Sequence, residues 1–286
     1  MHLYKYLRSS RVDVLKDKIF VYSKPTRFND PFDCLPHYKE SLELNPIGAR
    51  IYFLKMDFND FDSARLRTEV INHVKLSVAA DPSFTLDAVM PIDPSIPPEH
   101  HGDFVSGFRT SIAPSMQDSV VALSLSEEAN SLLMWAHYAE DHTGFVVGFC
   151  SDHTYFNSAG VNPSNPGYLN KVVYSSDRPS GVVGAMSAES AYLTKGLEWS
   201  YEREWRVLQK ARNASRVIEN SSGDIHLFEY PSDAVVQVVV GARAKKETLD
   251  TIRDILSDRA VWPNVSLYQA VVDSRHYRLN YEPISI

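Results

Sequence analysis

Two glutamates two residues apart are the side chains best suited to chemistry in this sequence. They lie in its densest aromatic and charged stretch, Trp199-Ser200-Tyr201-Glu202-Arg203-Glu204-Trp205-Arg206-Val207-Leu208. Aromatic and β-branched content favours a strand here, and side chains on a strand alternate faces. Tyr201, Arg203, Trp205 and Val207 then share one face, and Glu202, Glu204 and Arg206 the other. Two carboxylates so close repel each other, so one of them needs a cation, a donor or a cleft. Arg206 is the nearest cation. One reading is a strand that buries Tyr201 and Trp205 and carries a surface acid-base ladder. The other is a Glu-x-Glu catalytic strand.

Other polar residues are placed to join such a site. Val120-Val121-Ala122-Leu123-Ser124-Leu125-Ser126 is a strand that runs straight into a helix, with Ser124 and Ser126 on one side of it. Ser126 is a suitable N-cap, Glu127 and Glu128 suit the positive end of the helix dipole, and Leu132, Trp135, Ala136 and Ala139 form the apolar stripe. The opposite face carries His137 and Tyr138. A spacing of five between His137 and His142 does not stack them on a helix, which argues against a shared metal. His100-His101 lacks Cys or carboxylate at ligand spacing, so no metal is expected there either. Near the N-terminus, Asn29 and Asp30 follow an early strand in a loop that could face a ligand; the purely structural alternative is Asp30 as N-cap with Pro31 at the first helical position.

The elements that must position these residues follow from pattern. Leu3 to Tyr6 alternates apolar and polar, Val12, Leu15 and Ile19 recur at helical spacing, and Ile19-Phe20-Val21-Tyr22 is strand-like. Residues 40–117 form a helical and proline-rich insertion within a single domain spanning 1–286. Gly144 can end the helix after Ala139, before the buried strand Phe145 to Phe149. Ala234 to Gly241, a helix from about Lys246 to Asp258 and a strand from Val265 to Val272 close the chain as β-α-β. Small antiparallel or mixed sheets with a helical insertion make the fold class α+β.

Composition bounds the function classes. The chain has 286 residues, 44% of them hydrophobic, enough for a sizeable core. No apolar stretch approaches a bilayer-spanning length and the N-terminus lacks a signal-like run, so the expectation is a cytoplasmic, globular protein with no membrane partner. Two cysteines, Cys34 and Cys150, are expected as buried, reduced thiols. A net charge of -7 disfavours unspecific binding to nucleic acid.

Taken together, Leu3-Tyr4-Lys5-Tyr6, Phe28-Asn29-Asp30-Pro31-Phe32, Leu123-Ser124-Leu125-Ser126-Glu127, Met134-Trp135-Ala136-His137-Tyr138-Ala139, His142-Thr143-Gly144, Lys195 and Trp199 to Arg206 resemble the motif series of a prokaryotic domain-of-unknown-function family, number 2971. More distantly, the order of motifs is similar to that of ADP-ribosyltransferases, with Ser124-Leu125-Ser126 as the middle element and Glu202-Arg203-Glu204 as the last. The first element departs, since Tyr4-Lys5-Tyr6 offers no Arg or His in the strand itself, unless His2 or Arg8 serves.

That second resemblance implies two small, roughly perpendicular sheets with NAD in the cleft between them, as substrate, and ADP-ribose passed to an unknown acceptor macromolecule. Glu204 would stabilise the positive charge that builds on the ribose, Glu202 would orient or deprotonate the acceptor, and Ser124 would hold Glu204. Tyr4, Lys5, Tyr6, Asn29, Asp30, Ser126, Trp135, His137, Tyr138, Tyr201 and Arg206 would bind the nucleotide, Lys5 at the pyrophosphate and Tyr138 or Tyr201 against the nicotinamide. No metal is required. A toxin or phage-defence setting is compatible with this chemistry. The alternatives are a metal-dependent hydrolase or nuclease using His137, His142 and Glu202 or Glu204, and a non-catalytic module that binds a nucleotide or a partner peptide.

Overall fold

The computed structural model describes residues 1–38, 120–157, 169–181, 188–221 and 223–286. The expected insertion at 40–117, with His100-His101, lies outside the described residues. In chain order the strands are β1 His2–Leu7, β2 Ile19–Tyr22, β3 His37–Tyr38, β4 Val120–Ser126, β5 Phe145–Cys150, β6 Leu169–Lys171, β7 Val173–Ser175 and β8 Ser180–Gly181. They continue as β9 Thr194–Gly196, β10 Glu204–Lys210, β11 Arg216–Ile218, β12 Ile225–Glu229, β13 Val235–Val240, β14 Ser266–Val272 and β15 Leu279–Ile284. The helices are α1 Asp13–Asp17, α2 Leu132–Tyr138, α3 Thr154–Asn157, α4 Ala188–Tyr192 and α5 Lys246–Leu256. Mixed helix and sheet content makes the fold α+β, and among the described residues no helix is long and apolar enough to cross a membrane.

The chain divides into two compact units, one formed by residues 1–23, 121–174 and 197–286, the other by 24–120 and 175–196. In the first, an open eight-stranded sheet runs in the order β15-β14-β13-β5-β1-β4-β10-β6. The β1/β5, β13/β5 and β14/β15 pairs are antiparallel, while β13 and β14 are parallel and joined through α5. That crossover is the closing β-α-β expected from the alternation of apolar runs, because a parallel pair needs a long connection.

β5 sits near the centre and is buried on both faces, as its almost uniformly apolar sequence requires. One face packs Leu3, Leu7, Leu123, Phe145 and Phe149 with Val14 and Leu15 of α1, Ile252 and Leu256 of α5, and Phe20 and Phe228 from the separate three-stranded sheet β11-β12-β2. The other packs Tyr6, Val146 and Val239 against Met134 and Trp135 of α2 and Ala139 just after it. Half-buried tyrosines rim this second cluster, including Tyr4, Tyr138, Tyr201 and Tyr281.

Several local expectations are corrected. Residues 199–208 are not one strand: Leu197–Glu202 forms a 3-10 helix, Arg203 takes a left-handed φ of 45°, and only then does β10 begin. The alternation that would have put Glu202 and Glu204 on one strand face therefore breaks between them. Ser126 is the last residue of β4 and does not cap the helix; Ser131 does, accepting a hydrogen bond from the Met134 amide at 3.3 Å. Leu132 is exposed and Met134 takes the buried place assigned to it. Asp30 caps no helix, because its carboxylate instead accepts from the Phe32 amide at 2.9 Å and closes a turn. Cys34 is buried, but Cys150 is only half-buried, and neither forms a disulfide.

In the second unit, β3 and β8 pair in parallel, His37 opposite Ser180. The Arg178 guanidinium bridges the carbonyls of Leu35 and Pro36 at 2.7 and 3.2 Å. Lys195 is buried there and forms an ion pair with Asp33 at 3.6 Å.

Candidate functional site

Charged side chains are concentrated in the first unit where the 3-10 turn meets β10. Glu202, Glu204 and Arg206 are 3%, 3% and 1% exposed, a degree of burial that charged groups reach only with partners. Arg206 provides one set. Glu204 and Arg206 are two apart on β10 and so share a face, and the guanidinium donates from Nε to Oε1 at 2.7 Å and from Nη2 to Oε2 at 2.9 Å. This is the two-pronged geometry that makes arginine-carboxylate pairs strong and directional. The expected partnership with Arg206 is therefore present, but as a buried clamp and not as a surface ladder.

Glu202 is held differently. The Tyr138 hydroxyl, at the end of α2, donates to its Oε1 at 2.5 Å. The backbone of the same residue is tied to β4, with the Ser126 hydroxyl donating to the Glu202 carbonyl at 2.6 Å and accepting from the Glu128 amide at 3.0 Å. The left-handed Arg203 follows, and its carbonyl accepts from the Glu127 amide at 3.1 Å. Main-chain and side-chain bonds thus fix the kink, and the kink turns Glu202 out of the β10 alternation. The Tyr174 hydroxyl accepts from the Glu204 amide at 2.7 Å, anchoring the start of β10 from another side.

Lys5 brings a further charge. Its ammonium donates to the Ser124 carbonyl at 3.0 Å. Burial pushes this amine down to about 8, against the pull of Glu204 and, more weakly, Glu202 toward the charged form. Ser124 therefore contributes its carbonyl, and the serine whose hydroxyl reaches the glutamate segment is Ser126. Tyr6 donates to the Glu128 carbonyl at 2.6 Å, and burial raises both its hydroxyl and that of Tyr4, keeping them neutral donors.

The remaining expected ligand residues divide. Trp135 is fully buried, donates from Nε1 to the Ala129 carbonyl at 3.0 Å and packs edge-on against Tyr6, so it is core. His137 is exposed, its ring 6.3 Å from Tyr138 and 6.4 Å from Tyr201 between centroids. His142 stacks on Trp135 at 6.1 Å. Among the described residues no group of three or more His, Cys, Asp or Glu side chains is arranged to hold a metal ion. Asn29, exposed, and Asp30, buried, belong to the second unit.

Sequence reasoning missed a supporting pair. Glu127 accepts from Lys171 at 2.6 Å and from Trp205 Nε1 at 2.8 Å, and the Lys171 hydrogen bond holds its carboxyl below the usual range. Assigning it to a helix dipole hid this role; the presence of Trp205 within the Glu-rich segment was the available signal.

Residues 134–207 match the model of a protein family described as a protein of unknown function (DUF2971). The resemblance to family 2971 holds for this segment. It contains most of α2, with Tyr138, and the whole run from Glu202 to Arg206, while Lys5, Ser126 and Glu127 lie outside it. No curated protein and no solved structure gives a match.

Proposed function

We propose that the protein cleaves NAD at the ribose-nicotinamide bond and transfers ADP-ribose to an acceptor, in a fold related to the split sheets of ADP-ribosyltransferases. The observation that carries this reading is the pairing of a buried carboxylate, Glu202, with a tyrosine hydroxyl among half-exposed aromatic rings. Cleavage builds positive charge on the ribose, and a fixed carboxylate favours that state over the ground state. The Tyr138 hydroxyl occupies the place a ribose hydroxyl would take. Tyr4, Tyr138 and Tyr201 supply partly exposed ring faces against which a nicotinamide can lie.

The geometry shifts the roles within the Glu-x-Glu pair. Glu204 is already neutralised by Arg206, so Glu202 is assigned to the ribose and Glu204 to holding Arg206 and the start of β10. Lys5, whose amine at about 8 is still mostly charged near neutral pH, is suited to meet a pyrophosphate oxygen. The same neutralised clamp favours a second reading, a nucleotide-binding module without chemistry.

Calorimetric titration with NAD and a nicotinamide-release assay, run on the wild type, Glu202→Gln and Glu204→Gln, test both. Binding by all three, with release abolished most completely in Glu202→Gln, supports the transferase. Binding without release by the wild type leaves the module. Absence of binding at millimolar NAD, about the -4 kcal/mol affinity level, removes both.

A further inference from the structure

A cleft of about 510 Å³ opens in the first unit, lined by α2, the turn at His142, Ala242-Arg243 and the β14–β15 loop from Val272 to Leu279. Three arginines, Arg243, Arg275 and Arg278, line it against one aspartate, Asp273, in a chain whose net charge is -7. This is a local reversal of sign. Arg278 is committed, donating from Nε to Asp273 at 3.0 Å. Among the described residues the guanidinium groups of Arg243 and Arg275 have no hydrogen-bond or ion-pair partner, and both are exposed. Two guanidiniums that line one cleft without a partner are available to an anion with several acceptor oxygens.

The walls are preorganised. Asp273 accepts from the amides of Arg275 and His276 at 2.8 and 2.9 Å and from Asn280 at 3.0 Å, which fixes the loop that carries Arg275 and the fully exposed Tyr277. Opposite, His142 is left-handed at φ 68°, its ring stacked on Trp135 and its carbonyl accepting the Arg243 amide at 2.9 Å. Leu132, Val272 and Leu279 add apolar surface between these charged walls. A cavity of this size, mostly apolar with a few convergent polar groups, suits a small organic ligand.

We propose that this cleft binds the phosphate group of a nucleotide-sized small molecule, with Arg243 and Arg275 on the phosphate and Tyr277 and the apolar walls against the organic part. The site is separate from Glu202, and its arginines take no part in the NAD reading.

Titration of the full chain with adenosine monophosphate and with adenosine tests it. The nucleotide should bind at least about tenfold more tightly than the nucleoside, since the phosphate is the recognised group. Arg243→Ala combined with Arg275→Ala should weaken the nucleotide by about tenfold or more, leave the nucleoside unchanged, and preserve the circular dichroism spectrum, because both side chains are exposed. Nicotinamide release should be the same in this variant as in the wild type, which separates a failure here from a failure of the transferase. The proposal is overturned if adenosine, guanosine and uridine monophosphates and inorganic pyrophosphate all fail to bind at about 10 mM. It is overturned equally if the double variant binds the nucleotide as the wild type does, or if only a single-stranded oligonucleotide binds.

Discussion

The Tyr138 hydroxyl donates to the Glu202 carboxylate at 2.5 Å and so ties the last turn of α2 to the turn before β10. Glu202 is 3% exposed and Tyr138 half-buried, so the bond lies away from bulk solvent on the carboxylate side. Tyr138→Phe leaves that carboxylate without its hydroxyl donor and should cost about 1–3 kcal/mol of stability in urea unfolding, with the denaturant slope unchanged. Under the transferase reading the same variant should keep measurable nicotinamide release, because a ribose hydroxyl replaces the tyrosine. A stability change below about 0.5 kcal/mol would mean that water takes the hydroxyl's place at no cost.

The Glu204–Arg206 clamp predicts an asymmetry between single and double substitutions. Arg206→Ala takes both guanidinium hydrogen bonds from a buried carboxylate and should destabilise the protein by about 3–5 kcal/mol. Replacing both, Glu204→Leu with Arg206→Met, removes that carboxylate as well and should recover part of that loss. Equal losses in the single and double variants would show that the pair contributes packing volume and little electrostatics.

Which parts were legible in the sequence depended on whether a local pattern was left alone by distant contacts. The run Val235 to Val240, α5 and Ser266 to Val272 emerged as expected, because apolar periodicity and a long crossover determine a parallel pair without help. The segment 199–208 has strand-like composition, yet its first half is a 3-10 turn. Its geometry is set by Ser126 and Glu127, more than seventy positions earlier, holding the carbonyls of Glu202 and Arg203. No local propensity encodes that. The partnership of Glu204 with Arg206 was visible because i, i+2 spacing on a strand suffices, whereas Tyr138 meeting Glu202 required tertiary packing.

Lys5 makes stability depend on pH in the alkaline range. Its folded value of about 8 lies below the ordinary lysine value, so the unfolded chain holds more protons between them. The folded state therefore gains stability as pH rises through about 8 toward the usual lysine range, and the penalty is fully present below about 8. Lys5→Met should raise stability at pH 7 by roughly 1–3 kcal/mol and flatten this part of the pH profile. Chemical denaturation at pH 7, 8.5 and 10 on both proteins gives the comparison; parallel profiles would show that another group carries the dependence.

Asp273 gathers the β14–β15 loop through four donors, and those hydrogen bonds hold its carboxyl well below the usual carboxylate range. Asp273→Ala should leave the sheet intact and loosen the loop. Arg275 and Arg278 are trypsin sites within it, so limited proteolysis should cut the variant there faster than the wild type, with global unfolding little changed. Equal cutting rates would show that the strands alone define the loop.

Gly241 offers the most local test of the wall shared by β13 and the turn after α2. A Cβ at this position would lie 2.2 Å from the His142 carbonyl oxygen and 2.8 Å from that of Gly144, both backbone atoms that cannot rotate aside. The Gly241 amide also donates to the Gly144 carbonyl at 2.8 Å, so the two segments cannot separate without losing that bond. Residues 140–142 are all left-handed, which leaves the turn few other conformations in which to make room. Gly241→Ala should therefore destabilise the protein by about 1–3 kcal/mol or more in thermal or urea unfolding. It should also weaken adenosine monophosphate binding, because Arg243 is carried on the backbone that must shift. A neutral effect on stability would mean that the turn yields freely, and the rigid wall assigned to the cleft would go with it.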